Sequence, residues 1–258
     1  MEATNLYKEE VITGFKCKFF NKLNSTNDFA KEKFEDLMPL LPAVVVADYQ
    51  SAGKGQFGKT WESEPGKNLL FSVILKPGFA LSEGLFRVNF ILTTALVKTL
   101  RDHYGLKAYI KWPNDIFVDN KKIAGILTEN TITGDKLSTV IGGIGMNVNQ
   151  DFTSQKGFAA TSMQDQLGKE VDCYTLLVQV LRVLKEINEK SAFSSLNFLE
   201  EKISSLLWNR YKEQKFEDRD TLKIINATPD KFCSDHRLLV KHNGINKKLT
   251  HEQYQWKP

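Results

Sequence analysis

One stretch of the chain crowds charge, amides and bare glycine together. It reads Lys111-Trp112-Pro113-Asn114-Asp115-Ile116-Phe117, then Lys121-Lys122-Ile123-Ala124-Gly125-Ile126-Leu127, then Gly142-Gly143-Ile144-Gly145-Met146-Asn147-Val148. A segment that only filled a core would carry apolar side chains here. These types suit an anionic ligand instead. Lysine offers a compact charge with three donors, and aspartate can accept hydrogen bonds or help hold a metal-bound phosphate. Asparagine both donates and accepts, and glycine leaves backbone open to a flat ligand.

Two turn signals, Asp119-Asn120-Lys121 and Thr133-Gly134-Asp135-Lys136, make the stretch a three-strand meander. If both turns are tight, 115 pairs with 126 and 117 with 124; 122 then pairs with 147, 124 with 145 and 126 with 143. Paired and alternate residues share a face, so Asp115, Lys122, Gly143, Gly145 and Asn147 are expected on one side. A one-residue slip would scatter them. Taken singly, each of these residues also suits a half-exposed sheet.

A second concentration is the basic loop Gln50-Ser51-Ala52-Gly53-Lys54-Gly55-Gln56-Phe57-Gly58-Lys59-Thr60-Trp61. Gly53 to Thr60 satisfies the literal spacing of a phosphate-binding P-loop. Such a loop comes directly after a buried strand and opens a helix at its Lys-Thr. Here Glu62-Ser63-Glu64-Pro65-Gly66 comes next, and proline and glycine oppose a helix. A basic lid over a negative ligand is the functional reading; a plain surface loop is the structural one.

The elements that must position these groups are legible in outline. Residues 16–21 read as a strand. Ser25 and Thr26 are cap types before a helix over 27–38, which Pro39 and Pro42 end. Ala43–Ala47 and Asn68–Leu75 read as buried strands. Residues 82–104 read as a helix capped by Ser82 and ending near Gly105; 172–190 and 194–210 read as two more. After Tyr211 come short β-like pieces at 223–226, 231–234 and 237–241, an appendage too small to be stable alone. The division expected is 1–210 and 211–258.

The bulk numbers set limits. With 258 residues, 41% hydrophobic and 26% charged, the chain can build a sizeable core. A net charge of +4 suits anionic ligands but not a protein that coats nucleic acid. Cys17, Cys173 and Cys233 are dispersed, which reads as reduced thiols in a cytoplasmic protein, with neither a disulfide framework nor a zinc site. Neither a signal-type run nor a membrane-length apolar stretch is present.

In Ser25-Thr26-Asn27, the loop 50–61, Lys111–Asp115, Lys122–Leu127 and Gly143–Asn147, in this order, the chain resembles the biotin protein ligases of the biotin–lipoate ligase superfamily. The resemblance covers most of the chain. It implies an α+β fold: a mixed, largely antiparallel sheet with flanking helices, plus a small C-terminal SH3-like β domain. It implies that biotin and ATP, with Mg²⁺, form biotinyl-5′-AMP, and that a lysine of a biotin carboxyl carrier domain then takes the biotin. Ser25, Thr26, Asn27 and Gln50 would hold the biotin head. Gly53, Lys54 and Gln56 of the loop, with Gly125, Leu127, Gly143 and Gly145, would complete that site. Lys122 would bridge the biotin carboxylate and the α-phosphate, and Lys54 and Lys59 would assist it. Lys59, Trp61, Asn114, Asp115, Lys122 and Asn147 would serve ATP, with Asp115 toward Mg²⁺. The carboxylate itself attacks, so no side-chain nucleophile is needed, and the four histidines read as surface or structural.

The loop departs from the arginine-rich form common in that family. Gln56 stands where a guanidinium is usual, and an amide supplies neither the charge nor the bidentate fork. Lys54 and Lys59 are therefore expected to carry more of the electrostatics. About two dozen residues precede Ser25, so a DNA-binding domain and autonomous repression are not expected. The partners implied are a carrier domain, no nucleic acid and no membrane, with room for a homodimer. The rivals are a lipoate or octanoyl transferase on the same fold, which Lys111–Asp115 and the β tail disfavour, and a non-catalytic nucleotide- or nucleic-acid-binding module. The latter would need interleaved exposed aromatics or a reading helix. Phe158 and the segment 160–163 are placed for an adenine pocket, although Phe158 equally suits a core.

Overall fold

A computed structural model describes residues 6–76, 79–134, 136–152 and 159–257. In chain order the elements are β1 (Leu6–Ile12), β2 (Phe15–Phe20), α1 (Thr26–Glu32), α2 (Phe34–Leu37), β3 (Ala43–Ala47), β4 (Asn68–Leu75), α3 (Leu81–Tyr104), β5 (Ala108–Lys111), β6 (Asp115–Val118), β7 (Lys121–Thr133) and β8 (Lys136–Asn147). Next come α4 (Met163–Leu167), α5 (Cys173–Ala192), α6 (Leu196–Ser204), β9 (Gln214–Asp218), β10 (Ile224–Phe232), β11 (Leu238–His242), β12 (Ile245–Leu249) and β13 (Tyr254–Trp256).

β1 to β8 form one sheet in the order β1-β2-β3-β4-β8-β7-β6-β5; β9 to β13 form a second in the order β12-β11-β10-β9-β13. Among the described strands of the large sheet, only β2 and β3 pair in parallel. This is the mixed, largely antiparallel α+β architecture expected. The small C-terminal sheet shares one hydrophobic core with the large one, Phe216, Phe232 and Trp256 packing into the same cluster as Phe71 and Phe86.

Strand alternation sorts the large sheet into two faces. Phe71, Val73, Ile116, Ala124, Ile126, Ile144 and Met146 point to the side where α3 and α5 pack, and all are buried. The opposite face, where α1 packs, is apolar only toward β2 and β3, under Phe20, Leu37, Val45 and Ile74. Over β6, β7 and β8 that face is polar and rich in glycine.

The register of the meander differs by one residue from the tight-turn expectation. Gly125 pairs with Gly145 and Leu127 with Gly143, so Ile126 belongs to the core face and not to the site face. Asp115 pairs with Gly125, yet Phe117 pairs with Lys122, because the β6–β7 ladder shifts between Ile116 and Phe117. The extra residue is Ile123, fully buried in the core. A bulge resets the two-residue alternation. It therefore puts Lys122 and Gly125, three apart, on the same side. The expected set Asp115, Lys122, Gly143, Gly145 and Asn147 does share a face, by way of a bulge that turn placement cannot reveal.

Other expectations are corrected at element ends. The helix expected over 27–38 breaks at Lys33 (φ −101°, ψ 21°), then ends in a 3-10 turn at Met38–Leu40. α3 is capped by Ala80, with Ser82 already in its first turn, and ends at Gly105, which takes the left-handed conformation (φ 67°). The helix expected over 194–210 stops at Ser204, because the following segment pairs with β5: Ile110 N–H donates to Leu206 O and Trp208 N–H to Ile110 O, both at 2.8 Å. The pieces expected at 223–226 and 231–234 are one strand, β10, with an irregularity between Pro229 and Lys231. Phe158 and Asp135 lie outside the described residues.

Candidate functional site

A single cross-strand row forms the floor of the site. From the edge inward it runs Lys111 on β5, Asp115 on β6, Gly125 on β7, Gly145 on β8 and Leu70 on β4. Beside it lies a second row, Leu127, Gly143 and Ser72. The Lys122 ammonium reaches across to Asp115 Oδ1 at 2.6 Å, with both side chains about one-third exposed. Backbone bonds fix Lys122 on its other side: its N–H donates to Ala159 O and its carbonyl accepts from Thr161 N–H, both at 2.9 Å. The catalytic lysine expected from sequence is thus held at the bulge by two ladders.

The first turn of α1 closes one end of the floor. Ser25 Oγ accepts from Asp28 N–H at 3.3 Å, a helix cap. Gln50 Oε1 accepts from Thr26 N–H at 2.7 Å and from Thr26 Oγ1 at 3.1 Å. Asn27 is fully engaged: Nδ2 donates to Leu127 O at 3.2 Å and Glu129 Oε2 at 3.1 Å, and Oδ1 accepts from Ser72 Oγ at 2.6 Å. Gly143 is bare because Asn27 lies on it; a Cβ there would stand 2.2 Å from Asn27 Oδ1.

The loop 50–61 forms the roof. It doubles back on itself, Gly55 N–H donating to Lys59 O at 2.7 Å and Trp61 N–H to Gly53 O at 2.9 Å. Lys59 is extended and no helix opens at Lys59-Thr60, so the P-loop reading fails on geometry as it does on context. The Trp61 indole lies on the glycine floor: a Cβ at Gly145 would stand 2.4 Å from Trp61 Cε2, and one at Gly125 3.1 Å from Trp61 Cζ3. Its buried Nε1 has no partner among the described residues. Phe57 at the loop tip meets the small sheet, its ring 4.4 Å from the Arg219 guanidinium and 5.8 Å from His251.

Of the residues expected from sequence, Ser25, Thr26, Asn27, Gln50, Lys54, Gln56, Lys59, Trp61, Asn114, Asp115, Lys122, Gly125, Leu127, Gly143 and Gly145 line one cavity of about 200 Å³. Gly53 and Asn147 do not line it. Gly53 lets the loop ends meet, since a Cβ there would be 2.6 Å from Trp61 O. Asn147 is buried and its Nδ2 donates to Thr161 O at 3.1 Å. Asn114 Nδ2 donates to Ile126 O, tying the start of β6 to β7. Lys111, Trp112, Phe57, Arg219, His251 and Tyr254 also line the cavity. The last three come from the small sheet's side of the molecule, more than 70 residues beyond Gly145 in sequence, and no local pattern marks them. His251, read from sequence as surface or structural, stands at the cavity between Phe57 and Trp112.

The charges are unevenly committed. Lys54 Nζ pairs with Asp28 Oδ1 at 2.7 Å, and that bond raises its pKa. Lys54 and Lys59 both line the cavity, and Lys59 has no ion pair among the described residues. Burial pushes the His251 imidazole below its ordinary value and pulls Lys111 down to about 8. Among the described residues no group of three or more His, Cys, Asp or Glu could cage a metal. The three thiols are free, and burial raises the pKa of each.

The family model described as "Biotin/lipoate A/B protein ligase family" matches residues 19–147. The chain is 30% identical over 232 residues to the bifunctional ligase/repressor BirA of Escherichia coli (strain K12), covering 87% of this chain and 69% of that protein. This chain belongs to the biotin/lipoate A/B protein ligase family. To the bifunctional ligase/repressor BirA of Bacillus subtilis (strain 168) it is 34% identical over 177 residues, 67% of this chain and 54% of that protein. The matches thus span about half the length of the first curated relatives. The ligase-family fold extends further than the family model: the biotin protein ligase from Aquifex aeolicus in complex with biotin and ATP superposes with a TM-score of 0.74 at 24% identity, covering 93% of this chain and 98% of that one.

Proposed function

We propose that this ligase-family chain activates biotin with ATP as biotinyl-5′-AMP and passes it to a lysine of a biotin carboxyl carrier domain. The observation that carries the reading is the bulge-held Lys122, paired with Asp115 beside the bare backbone of Gly125 and Gly145. Joining a carboxylate to a phosphate requires two anions to approach. A fixed cation between them offsets their repulsion, and fixed dipoles or charges aimed at the developing transition state are the largest common source of rate enhancement. The α1–Gln50 end offers polar atoms for a neutral head group, and the glycine floor offers a flat bed for the remainder of the conjugate. The relatives supply the substrates: one is a bifunctional ligase/repressor, and the solved Aquifex protein holds biotin and ATP.

The cavity is smaller than the roughly 300 Å³ at which small-molecule sites begin, so Trp61 lifts from the floor as the nucleotide conjugate enters. The loop, pinned at Phe57 by the small sheet, then excludes water from the mixed anhydride. Mg²⁺ fits this site as a passenger of the nucleotide: one carboxylate, Asp115, matches the one or two that such an ion takes while phosphates supply the rest. Asp115 would hold it, and its charge would neutralise the phosphates. No described helix is long and apolar enough to cross a membrane. A cytoplasmic setting, the absence of a nucleic-acid partner and a homodimer belong to the same proposal. The deciding measurement is ATP–pyrophosphate exchange, which is expected only with biotin present. Exchange supported by lipoate or octanoate instead would assign the chain to the other branch, and none with any of them in folded protein ends the ligase reading.

A further inference from the structure

Lys111 stands at the outer end of the site's floor, in the cross-strand row that continues through Asp115, Gly125 and Gly145. It is 8% exposed, yet it lines the cavity. Among the described residues it has no ion pair within reach: the carboxylate opposite it, Asp115, is held by Lys122 at 2.6 Å. Its ammonium rests only on aromatic faces, 4.8 Å from the Phe117 ring centre and 5.7 Å from that of Trp208. Asp115 adds negative potential there, and Lys122, Lys59 and Lys257 add positive potential. A largely desolvated cation that faces a cavity, its nearest carboxylate already paired to another lysine, is a site for an anion.

The order of groups along the row says which anion. The head-group end lies at α1 and Gln50, and Lys122 marks where carboxylate and α-phosphate meet. Lys111 lies beyond Asp115, on the far side from the head group. At about 4.8 Å per strand, the row from Gly145 to Lys111 spans roughly 14 Å, long enough for a phosphate chain to extend outward past the reaction point. We propose that Lys111 binds the terminal phosphates of the nucleotide, and after the reaction the pyrophosphate, an assignment that rests on the ligase reading. Lys122 and Lys111 then divide the work, one at the bond being made and the other on the group that leaves. The depressed pKa of Lys111 agrees with a cation whose counter-ion arrives with the substrate.

Lys111→Met and Lys111→Arg test the assignment. The methionine keeps the stem's volume and removes the charge. The KM for ATP and the inhibition constant for pyrophosphate should both rise by about tenfold or more, as for a lost charge-assisted hydrogen bond. Biotin affinity, measured by titration calorimetry, should stay within about twofold, and arginine should restore most of the loss. Unchanged ATP and pyrophosphate constants overturn the assignment, as does an equal weakening of biotin. Should the methionine variant not fold, trace acetylation of the wild-type chain with peptide mass mapping decides. ATP or pyrophosphate should shield Lys111 where biotin alone does not, and no shielding overturns the proposal. A wild type without biotin-dependent exchange sinks the ligase reading itself. An active wild type with a kinetically silent Lys111→Met sinks only this inference.

Discussion

The two faces of the large sheet are built from the same strands with opposite logic. Toward α3 and α5, Phe71, Ile116, Ala124, Ile144 and Met146 interlock without exposure. Toward the loop, their immediate neighbours Leu70, Asp115, Gly125, Gly143 and Gly145 leave a bed on which Asn27 and Trp61 rest. The first face determines whether the chain folds and the second what it does. One inserted residue, Ile123, keeps the two in phase where Lys122 has to join the second. The bulge is therefore as much part of the site as the lysine it aims.

Substitutions on each face should separate these roles. Lys122→Ala should lower biotin-dependent exchange by about 10³-fold or more with its melting temperature unmoved; an unchanged exchange rate would break the comparison at its centre. Phe71→Ala, on the core face, should cost about 3–5 kcal/mol in urea unfolding while the folded fraction keeps its affinity for biotin. A specific loss of biotin affinity there would show that the faces are coupled. Gly143→Val should displace Asn27 and abolish measurable biotin binding, at a stability cost of about 1–3 kcal/mol; ordinary affinity would mean that α1 can retreat.

The smallest effect is on stability and has the opposite sign. Lys111 is a buried cation whose folded pKa is near 8 against an ordinary 10.5. Between those values the unfolded chain binds more protons, so wild-type stability should rise with pH across that window. Lys111→Met should accordingly be more stable than wild type at neutral pH, by no more than on the order of 3 kcal/mol. The gain should shrink as pH approaches 10.5. A methionine variant that is less stable at neutral pH would place Lys111 among the structural residues.

Much of the fold is legible in sequence, and the reason differs by element. Ala43–Ala47 and Asn68–Leu75 are continuous apolar runs with marked ends, and the structure reproduces them residue for residue. The meander is legible in composition but not in register, because two ladder irregularities, at Ile123 and between Thr131 and Ile132, leave no local signature and each shift pairing by one. Lys111 resembles any surface lysine beside a tryptophan; its burial depends on Phe117 and on Trp208, which arrives from 97 residues downstream. Arg219 and His251 are invisible as site residues for the same reason, since only the docking of the small sheet brings them to Phe57. Lys54 shows only its charge in the sequence, and its pairing with Asp28, 26 residues upstream, is not visible there.

Trp61 lying on Gly125 and Gly145 gives the chain an optical reporter. An indole lying on backbone beside the Lys122 ammonium, which sits 5.4 Å from its ring centre, emits from a particular polarity. Any ligand that takes the glycine floor must change it. Emission excited at the indole band should therefore track occupancy directly, without label or coupled enzyme. Trp61→Phe identifies the component that belongs to the floor rather than to Trp112 or Trp256, which share the cavity.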